Sequence, residues 1–378
     1  MKFILYSPVC FEKWDFRNSI EKGIGGSETS HVEMAWRLAA RGHEVITYTD
    51  IPDDCPTEWR GTKWYKLDQV DWKQKGIWVI YRDPTSIDKF PKKGKRKEQT
   101  VWMLMQDWDY PNWNNERIKQ FDSILTMCKW HARHTVRKYP KAKDNMWLNS
   151  NGIKIDLINE IEKENIKRNP KLIVYTSSPD RGLKSLLLSF KKAREFVPDL
   201  QLKITYGFDN IDVLIKNNPK SHYRKIKEDI LKLANQPGVE WLGRINQPDL
   251  YRLWFSAGLW VYQTSFAETS CITCMEAQAM GAIPIFSPVW AQGENVKHGI
   301  PIEGEPEDKL TICRFAAEIF RLSSNPAMQE MIRKEMMPWA RNRYDWERMV
   351  DLWECKASGK KYPHEYPESM EDKDYVVG

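Results

Sequence analysis

The sequence predicts an α/β protein made of two doubly wound parallel-sheet domains in series. Three observations carry this. Short apolar runs alternate with helix-length segments through the first 150 residues. The same alternation starts again at Leu172, and a polar, charged stretch from 159 to 170 separates the two series. A chain of 378 residues suits two domains of ordinary size.

In the first domain, residues 1–158, Lys2–Tyr6 reads as a buried strand, its apolar stretch being too short for a signal peptide. A loop ending in Gly23-Ile24-Gly25-Gly26-Ser27-Glu28 leads into a helix from about Ser27 to Ala40, with Val32, Ala35, Trp36 and Ala39 on one face. Glu44–Tyr48, Ile77–Tyr81, Thr100–Met105 and Ser123–Met127 are further strand-like runs, and Met146–Leu148 is a shorter one. The second domain, 171–325, begins with the strand Leu172–Tyr175 and a helix from about Gly182 to Phe196. Strands follow at Leu202–Tyr206, Val239–Leu242, Leu259–Tyr262 and Ile283–Phe286, with helices near His222–Ala234, Gln247–Phe255 and Thr273–Met280. Two such domains would hold a ligand in the cleft between them. Helical periodicity dominates 326–356, and residues 357–378 form a polar, aperiodic tail with Pro363 and Pro367.

Composition narrows the function classes. Hydrophobic residues make up 41% and charged residues 29%, as in a soluble globular protein, and no run approaches the ~18 apolar residues of a membrane span. Seven scattered cysteines, an odd number, fit a reduced cytoplasmic chain without a disulfide framework. Cys271 and Cys274 form a CxxC, but no second pair or nearby histidine completes a zinc site, so no metal is expected. The net charge of +6 is compatible with an anionic donor, an anionic acceptor or nucleic acid. The 18 tryptophans could stack on sugars or bases, although large aromatics more often line cores. The basic loop Lys92–Lys97 could touch nucleic acid, but such short runs are usually solvated.

Three segments carry chemistry. In Phe266–Glu276, Glu268 lies in a turn after a strand, and Glu276 lies eight residues later inside a helix closed by Gly281. The helix start is an anion site, since unpaired N–H groups and the helix dipole converge there. Two carboxylates bracketing it would suit a nucleotide-sugar; the plainer alternative is a pair of solvated glutamates. In Tyr175–Lys184, Ser177, Ser178, Arg181 and Lys184 surround a second helix start and suit a diphosphate, or form a capped helix with a surface arginine. In the first domain, Gly25, Gly26 and Ser27 allow a phosphate or sugar close to the backbone, or make a plain tight turn. This loop is not the dinucleotide G-x-G-x-x-G. His131 and His134 share a helix with Trp130, Arg133 and Arg137, which reads as a basic face beside the acceptor and not as a metal site.

Taken in order, Gly25-Gly26-Ser27, Ser178–Leu183, Trp241-Leu242-Gly243-Arg244 and Glu268–Glu276 followed by Ala277–Gly281 resemble a retaining glycosyltransferase of the GT-B fold, family four (glycosyl transferases group one), over roughly residues 1–350. The resemblance implies two Rossmann-like domains facing across a cleft, with a C-terminal helix, near Tyr344-Asp345-Trp346-Glu347, crossing back to the first. It implies metal-independent, cofactor-free transfer of a hexose-like sugar from a nucleotide-diphosphate-sugar, with UDP favoured over GDP, to a hydroxyl of a glycan, lipid or small molecule. Glu268 would contact the donor sugar, Glu276 the ribose, and the backbone of Thr269, Ser270, Cys271 and Ile272 the sugar and diphosphate. Arg181 would bind phosphate, helped by Lys184 because Thr176 replaces a basic residue common in the family. Arg244 and Ile245 fall where the nucleobase is contacted. Gln106-Asp107 stands where the family often has His-Asp. Gln106 can hydrogen-bond a sugar hydroxyl but cannot exchange a proton near neutral pH, while Asp107 would bind the acceptor hydroxyl, cap a helix or form a loop salt bridge. The alternatives are a DNA-modifying glycosyltransferase acting on a hydroxylated base and a non-catalytic nucleotide-sugar-binding protein. The acceptor and the oligomeric state stay open.

Overall fold

The computed structural model describes residues 1–364; the rest of the polar tail expected from 357 onward lies outside the described residues. The chain forms two compact units. Among the described residues, one comprises Met1–Ile20, Ile24–Gly152 and 344–364, and the other Glu21–Gly23 and Ile153–Arg343.

The first unit is built on an eight-stranded sheet: β1 (Lys2–Ser7), β2 (Glu44–Thr49), β3 (Glu58–Trp59), β4 (Thr62–Lys66), β5 (Gly76–Tyr81), β6 (Gln99–Leu104), β7 (Ser123–Thr126) and β8 (Met146–Leu148), ordered β3-β4-β2-β1-β5-β6-β7-β8. The strands run parallel except for the β3–β4 hairpin. Its two-residue turn, Arg60-Gly61, has both φ angles positive (46° and 79°), the geometry that matches the twist of paired strands. The sequence reading does not include this hairpin. Thr62-Lys63-Trp64-Tyr65-Lys66 is too polar to stand out as an apolar run, although Thr62 and Trp64 are buried at alternate positions. The central strands β1, β5 and β6 are near-continuous Ile, Leu, Val, Trp and Met because helices cover both faces of a parallel sheet.

Helix Trp346–Ser358 belongs to this unit and packs on helix Gly26–Ala40. Arg37 and Arg41 each reach Glu347 at 2.6 Å, Arg41 also reaches Glu354 at 2.9 Å, and the Trp353 indole donates to Asn149 at 3.0 Å. A side chain at Gly152 would meet the Trp346 ring at 2.7 Å, so this contact requires glycine.

The second unit has a six-stranded sheet: β9 (Asn169–Tyr175), β10 (Gln201–Ile204), β11 (Val239–Trp241), β12 (Ala257–Tyr262), β13 (Ile283–Phe286) and β14 (Ile300–Pro301). The order is β11-β10-β9-β12-β13-β14 and every pair is parallel. The polar stretch 159–170 holds the end of helix Ile155–Glu162, anchored by buried Ile158 and Ile161, and the first residues of β9. Each sheet winds outward in both directions from its first strand: β1 is flanked by β2 and β5, and β9 by β10 and β12. Loops at the carboxyl ends of such switch strands form the usual ligand crevice of open α/β sheets. Among the described residues, no helix is long and apolar enough to cross a membrane.

Candidate active site

In the second unit the switch point lies between β9 and β12, and the two motif-bearing segments leave its carboxyl end. The loop after β9 runs from Thr176 to Gly182, and the loop after β12 runs from Gln263 to Cys271. They meet. Arg181 Nη1 is 3.2 Å from Glu268 Oε1, and the Tyr262 hydroxyl, at the end of β12, donates to the same oxygen at 2.7 Å. The Phe266 ring lies under the Arg181 guanidinium at 4.1 Å. The Ser177 hydroxyl is 3.5 Å from that of Thr273, in the first turn of helix Ile272–Ala279. The loop is pinned from within, as Arg181 N–H donates to Ser178 O (2.9 Å), the Tyr175 hydroxyl donates to the same oxygen (2.9 Å), and the Ser178 hydroxyl donates to Asp180 (2.5 Å). Gly182 has φ 102°, and a Cβ there would lie 2.2 Å from Gln263 O, so only glycine lets the two loops approach this closely.

Two helices start at this point, Leu183–Arg194 and Ile272–Ala279, and neither has a side-chain cap. Their first N–H groups, together with Arg181, give the crevice a concentration of positive potential beside one carboxylate. Thr269, Ser270 and Cys271 are buried in the turn that leads into the second helix. The Cys271 and Cys274 thiols are free and buried, and burial pushes Cys271 up to about 12, so both stay protonated and act as small packing residues. Among the described residues, no cluster of three or more His, Cys, Asp or Glu side chains is arranged to hold a metal.

Glu276, one turn further along the helix, is 3% exposed. Burial raises its pKa to about 7 against the lowering effects of Tyr251, Lys154 and Gln247. Gln247 Nε2 lies 3.4 Å from its Oε1 and 3.5 Å from the Tyr251 hydroxyl. A carboxyl kept in an apolar site at this cost to its charge is a candidate for binding hydroxyls. Lys184 is held by Glu307 at 2.8 Å and Asp229 at 3.5 Å. Arg244 and Ile245 follow β11, with the Arg244 guanidinium over the Tyr206 ring at 5.3 Å and its Nε 3.5 Å from Asp209. Gly243 there has φ 70°.

In the first unit, Gly25 caps and Gly26 opens helix Gly26–Ala40, one residue earlier than the pattern suggests, and Ser27 is buried with its hydroxyl unpartnered. A Cβ on Gly25 would lie 2.3 Å from Glu28 Oε2, so the glycine makes room for the Glu28 carboxyl folding back over the helix start. Arg82, the residue after β5, grips Asp107 with two bonds, Nε to Oδ2 at 2.8 Å and Nη2 to Oδ1 at 3.1 Å, and its Nη1 lies 3.8 Å from Glu28. Asp107 is thus a salt-bridged loop residue. Gln106 exchanges amide bonds with Asn151 at 3.2 and 3.4 Å, and the Tyr110 hydroxyl accepts from the backbone N–H of both Gln106 and Asp107. Burial raises the Glu28 pKa, and the Arg82 charge opposes this.

Sequence reasoning misses Arg82, Glu28, Tyr262 and Gln247. Arg82 and Tyr262 do carry a signal, since they end or directly follow strands that flank a switch strand, but that is visible only once strand order is known. Loop Lys92–Lys97 precedes β6, whereas Gln106-Asp107 follows it, so the basic loop and the Asp107 region lie at opposite ends of the same strand.

Residues 157–336 match the family model described as glycosyl transferases group 1. No curated protein matches the chain. Among solved structures, a glycosyltransferase from Rickettsia africae superposes with a TM-score of 0.67 at 14% identity, covering 95% of this chain and 98% of that one. Sucrose-phosphate synthase from Thermosynechococcus elongatus gives 0.67 at 14%, covering 95% and 100%. Anabaena HepE in complex with UDP-glucose gives 0.65 at 12%, covering 94% and 99%. The chain therefore has the expected α/β architecture of two Rossmann-like units, the GT-B fold.

Proposed function

We propose that the protein is a retaining glycosyltransferase that moves a hexose-like sugar from a nucleotide-diphosphate donor, UDP favoured, to an acceptor hydroxyl without a metal. The observation that carries this is the meeting of Arg181 and Glu268 (3.2 Å) at two uncapped helix starts on the carboxyl side of the β9/β12 switch point, with buried Glu276 one turn on. The match of residues 157–336 to group 1 glycosyl transferases and the UDP-glucose complex of HepE, a protein of similar fold, support the choice of donor.

In this reading the donor diphosphate lies over the helix starts, where Arg181 and the first N–H groups stabilise the charge that develops as the C1–O(phosphate) bond breaks. Fixed donors aimed at developing charge are usually the largest catalytic contribution. The acceptor oxygen bonds to C1 on the face the phosphate leaves, and its proton passes to the departing phosphate oxygen. Glu268, fixed by Arg181 and the Tyr262 hydroxyl, orients the sugar and balances positive charge near C1. Glu276 accepts the ribose hydroxyls. Gln106, tied to Asn151, positions and does not exchange protons.

The test is a thermal-shift panel of UDP, GDP, ADP and TDP sugars in EDTA, with Glu276→Ala as control. A selective rise in Tm that the variant loses supports the donor site. No shift with any nucleotide from a folded sample sinks it.

A further inference from the structure

The first unit carries an exposed aromatic and cationic face directly beside Asp107. Trp108 is 47% exposed, and its ring packs edge-on against His134 at 5.4 Å. His134 in turn stacks on Trp130 at 5.3 Å. Helix Lys129–Lys138 places Trp130, Arg133, His134 and Arg137 at i, i+3, i+4 and i+7, one stripe of its surface, while His131, Ala132 and Thr135 face the core. Arg133 and Arg137 are exposed, and neither has an ion-pair partner among the described residues. The helix contains no acidic residue, and nearby Asp109 is neutralised by Lys138. Burial lowers the His134 pKa, so at pH 7 this ring is a neutral stacking partner.

We propose that this face is an acceptor subsite for an anionic sugar, a ring that stacks on Trp108 and bears a phosphate or carboxylate held by Arg133 and Arg137. The inference rests on the glycosyl-transfer reading above. A flat, exposed aromatic in the loop at the carboxyl end of β6 suits a sugar ring, and two unpaired guanidinium groups on the same stripe suit a planar oxyanion. A nucleic-acid track fits less well. The stripe is one short helix long, about 15 Å at 1.5 Å per residue, and the basic loop Lys92–Lys97 that could extend it lies at the other end of β6.

The experiment is titration of the full chain, saturated with UDP, by saturation-transfer NMR. The probes are methyl glucoside 6-phosphate, methyl glucuronide, uncharged methyl glucoside and an octathymidylate. The two anionic glycosides should bind at least about tenfold more tightly than the neutral one, as charge-assisted bonds predict; whichever of the two is tighter identifies the anion. Arg133→Gln with Arg137→Gln should abolish that advantage and leave the neutral glycoside unaffected. Trp108→Ala should weaken all three glycosides by about tenfold and Trp108→Phe should restore most of the binding. Equal binding of charged and neutral glycosides, or no binding of any probe while UDP still binds, overturns the subsite and leaves the donor reading intact. Tighter binding of the oligonucleotide, with a steep salt dependence, overturns it in favour of nucleic acid. Failure of UDP itself to bind removes the glycosyl-transfer reading.

Discussion

Each unit pairs an arginine with a carboxylate from the loops at the carboxyl ends of adjacent strands, β9 and β12 in the second and β5 and β6 in the first, yet the two pairs differ in kind. In the second unit Arg181 meets Glu268 through a single 3.2 Å contact, and Arg181 keeps 38% of its side chain exposed. In the first unit Arg82 is committed to Asp107 by two bonds, lies 3.8 Å from buried Glu28 and is only 15% exposed. A guanidinium with one partner and an open side has donors left for a ligand; one held by a fork on one side and a buried charge on the other is part of the frame. The second unit leaves its cation with unused donors, while the first uses its cation to fix a carboxylate.

The comparison breaks most directly at Arg181. If its free donors stabilise a leaving phosphate, Arg181→Ala should lower kcat by about a hundredfold to a thousandfold, the usual loss for one preorganised donor, and leave nucleotide affinity within a few-fold. Steady-state donor hydrolysis, coupled to nucleotide release, measures it. Turnover unchanged in a folded variant would mean that the Arg181–Glu268 pair is structural.

At Arg82 the expectation is reversed, with a large effect on stability and little on donor binding. Arg82→Ala leaves the buried Glu28 carboxyl without its compensating charge and should cost about 3 kcal/mol, read as a fall in denaturant midpoint. Adding Glu28→Gln should recover part of the loss, since the orphaned charge is then gone. UDP binding should not change in either variant. A loss of UDP affinity would show that the first-unit pair reaches the donor.

Glu276 adds pH to the comparison. Its folded pKa of about 7 lies above the 4.5 of an ordinary glutamate, so between those values the folded protein holds the proton more often than the unfolded chain does. Stability must then fall as pH rises from about 4.5 through 7, by up to about 3 kcal/mol from this group. Glu276→Gln should remove that slope and be the more stable protein at pH 8. UDP binding by the wild type should strengthen as pH rises through 7, because the ionised carboxylate is the better acceptor of ribose hydroxyls, and the Gln variant should be flat. Thermal unfolding from pH 5 to 8, with and without UDP, checks both signs.

The same contrast explains what could be read from the sequence. Arg181, Glu268 and Glu276 lie in short contiguous segments whose residue types announce a helix start after a strand, and that local placement is legible from spacing alone. Arg82, Glu28 and Asp107 are spread over 80 residues and come together only because β5 pairs with β1 and β6. No local pattern encodes that pairing. The central strands were legible because burial on both faces demands unbroken apolar runs. The hairpin β3–β4 was not, because an edge strand needs only alternate apolar positions and its turn depends on a positive φ at Arg60, which composition does not signal.

Lys184 gives the smallest effect and the finest distinction. By sequence it stands three residues beyond Arg181 and could share the diphosphate. In the structure its ammonium bonds Glu307 at 2.8 Å and lies 3.5 Å from Asp229, with 31% of the side chain exposed. Reaching a phosphate would require it to leave two carboxylates for one anion, a near-even exchange for a solvated ammonium. Lys184→Ala should therefore change kcat and UDP affinity less than about threefold and cost no more than about 1 kcal/mol of stability, the range of exposed ion pairs. A hundredfold fall in turnover, matching Arg181→Ala, would instead mean that the ligand pulls Lys184 from Glu307. Glu307→Gln would then raise donor affinity by freeing it, and the second unit would work with two mobile cations against the single fixed one of the first.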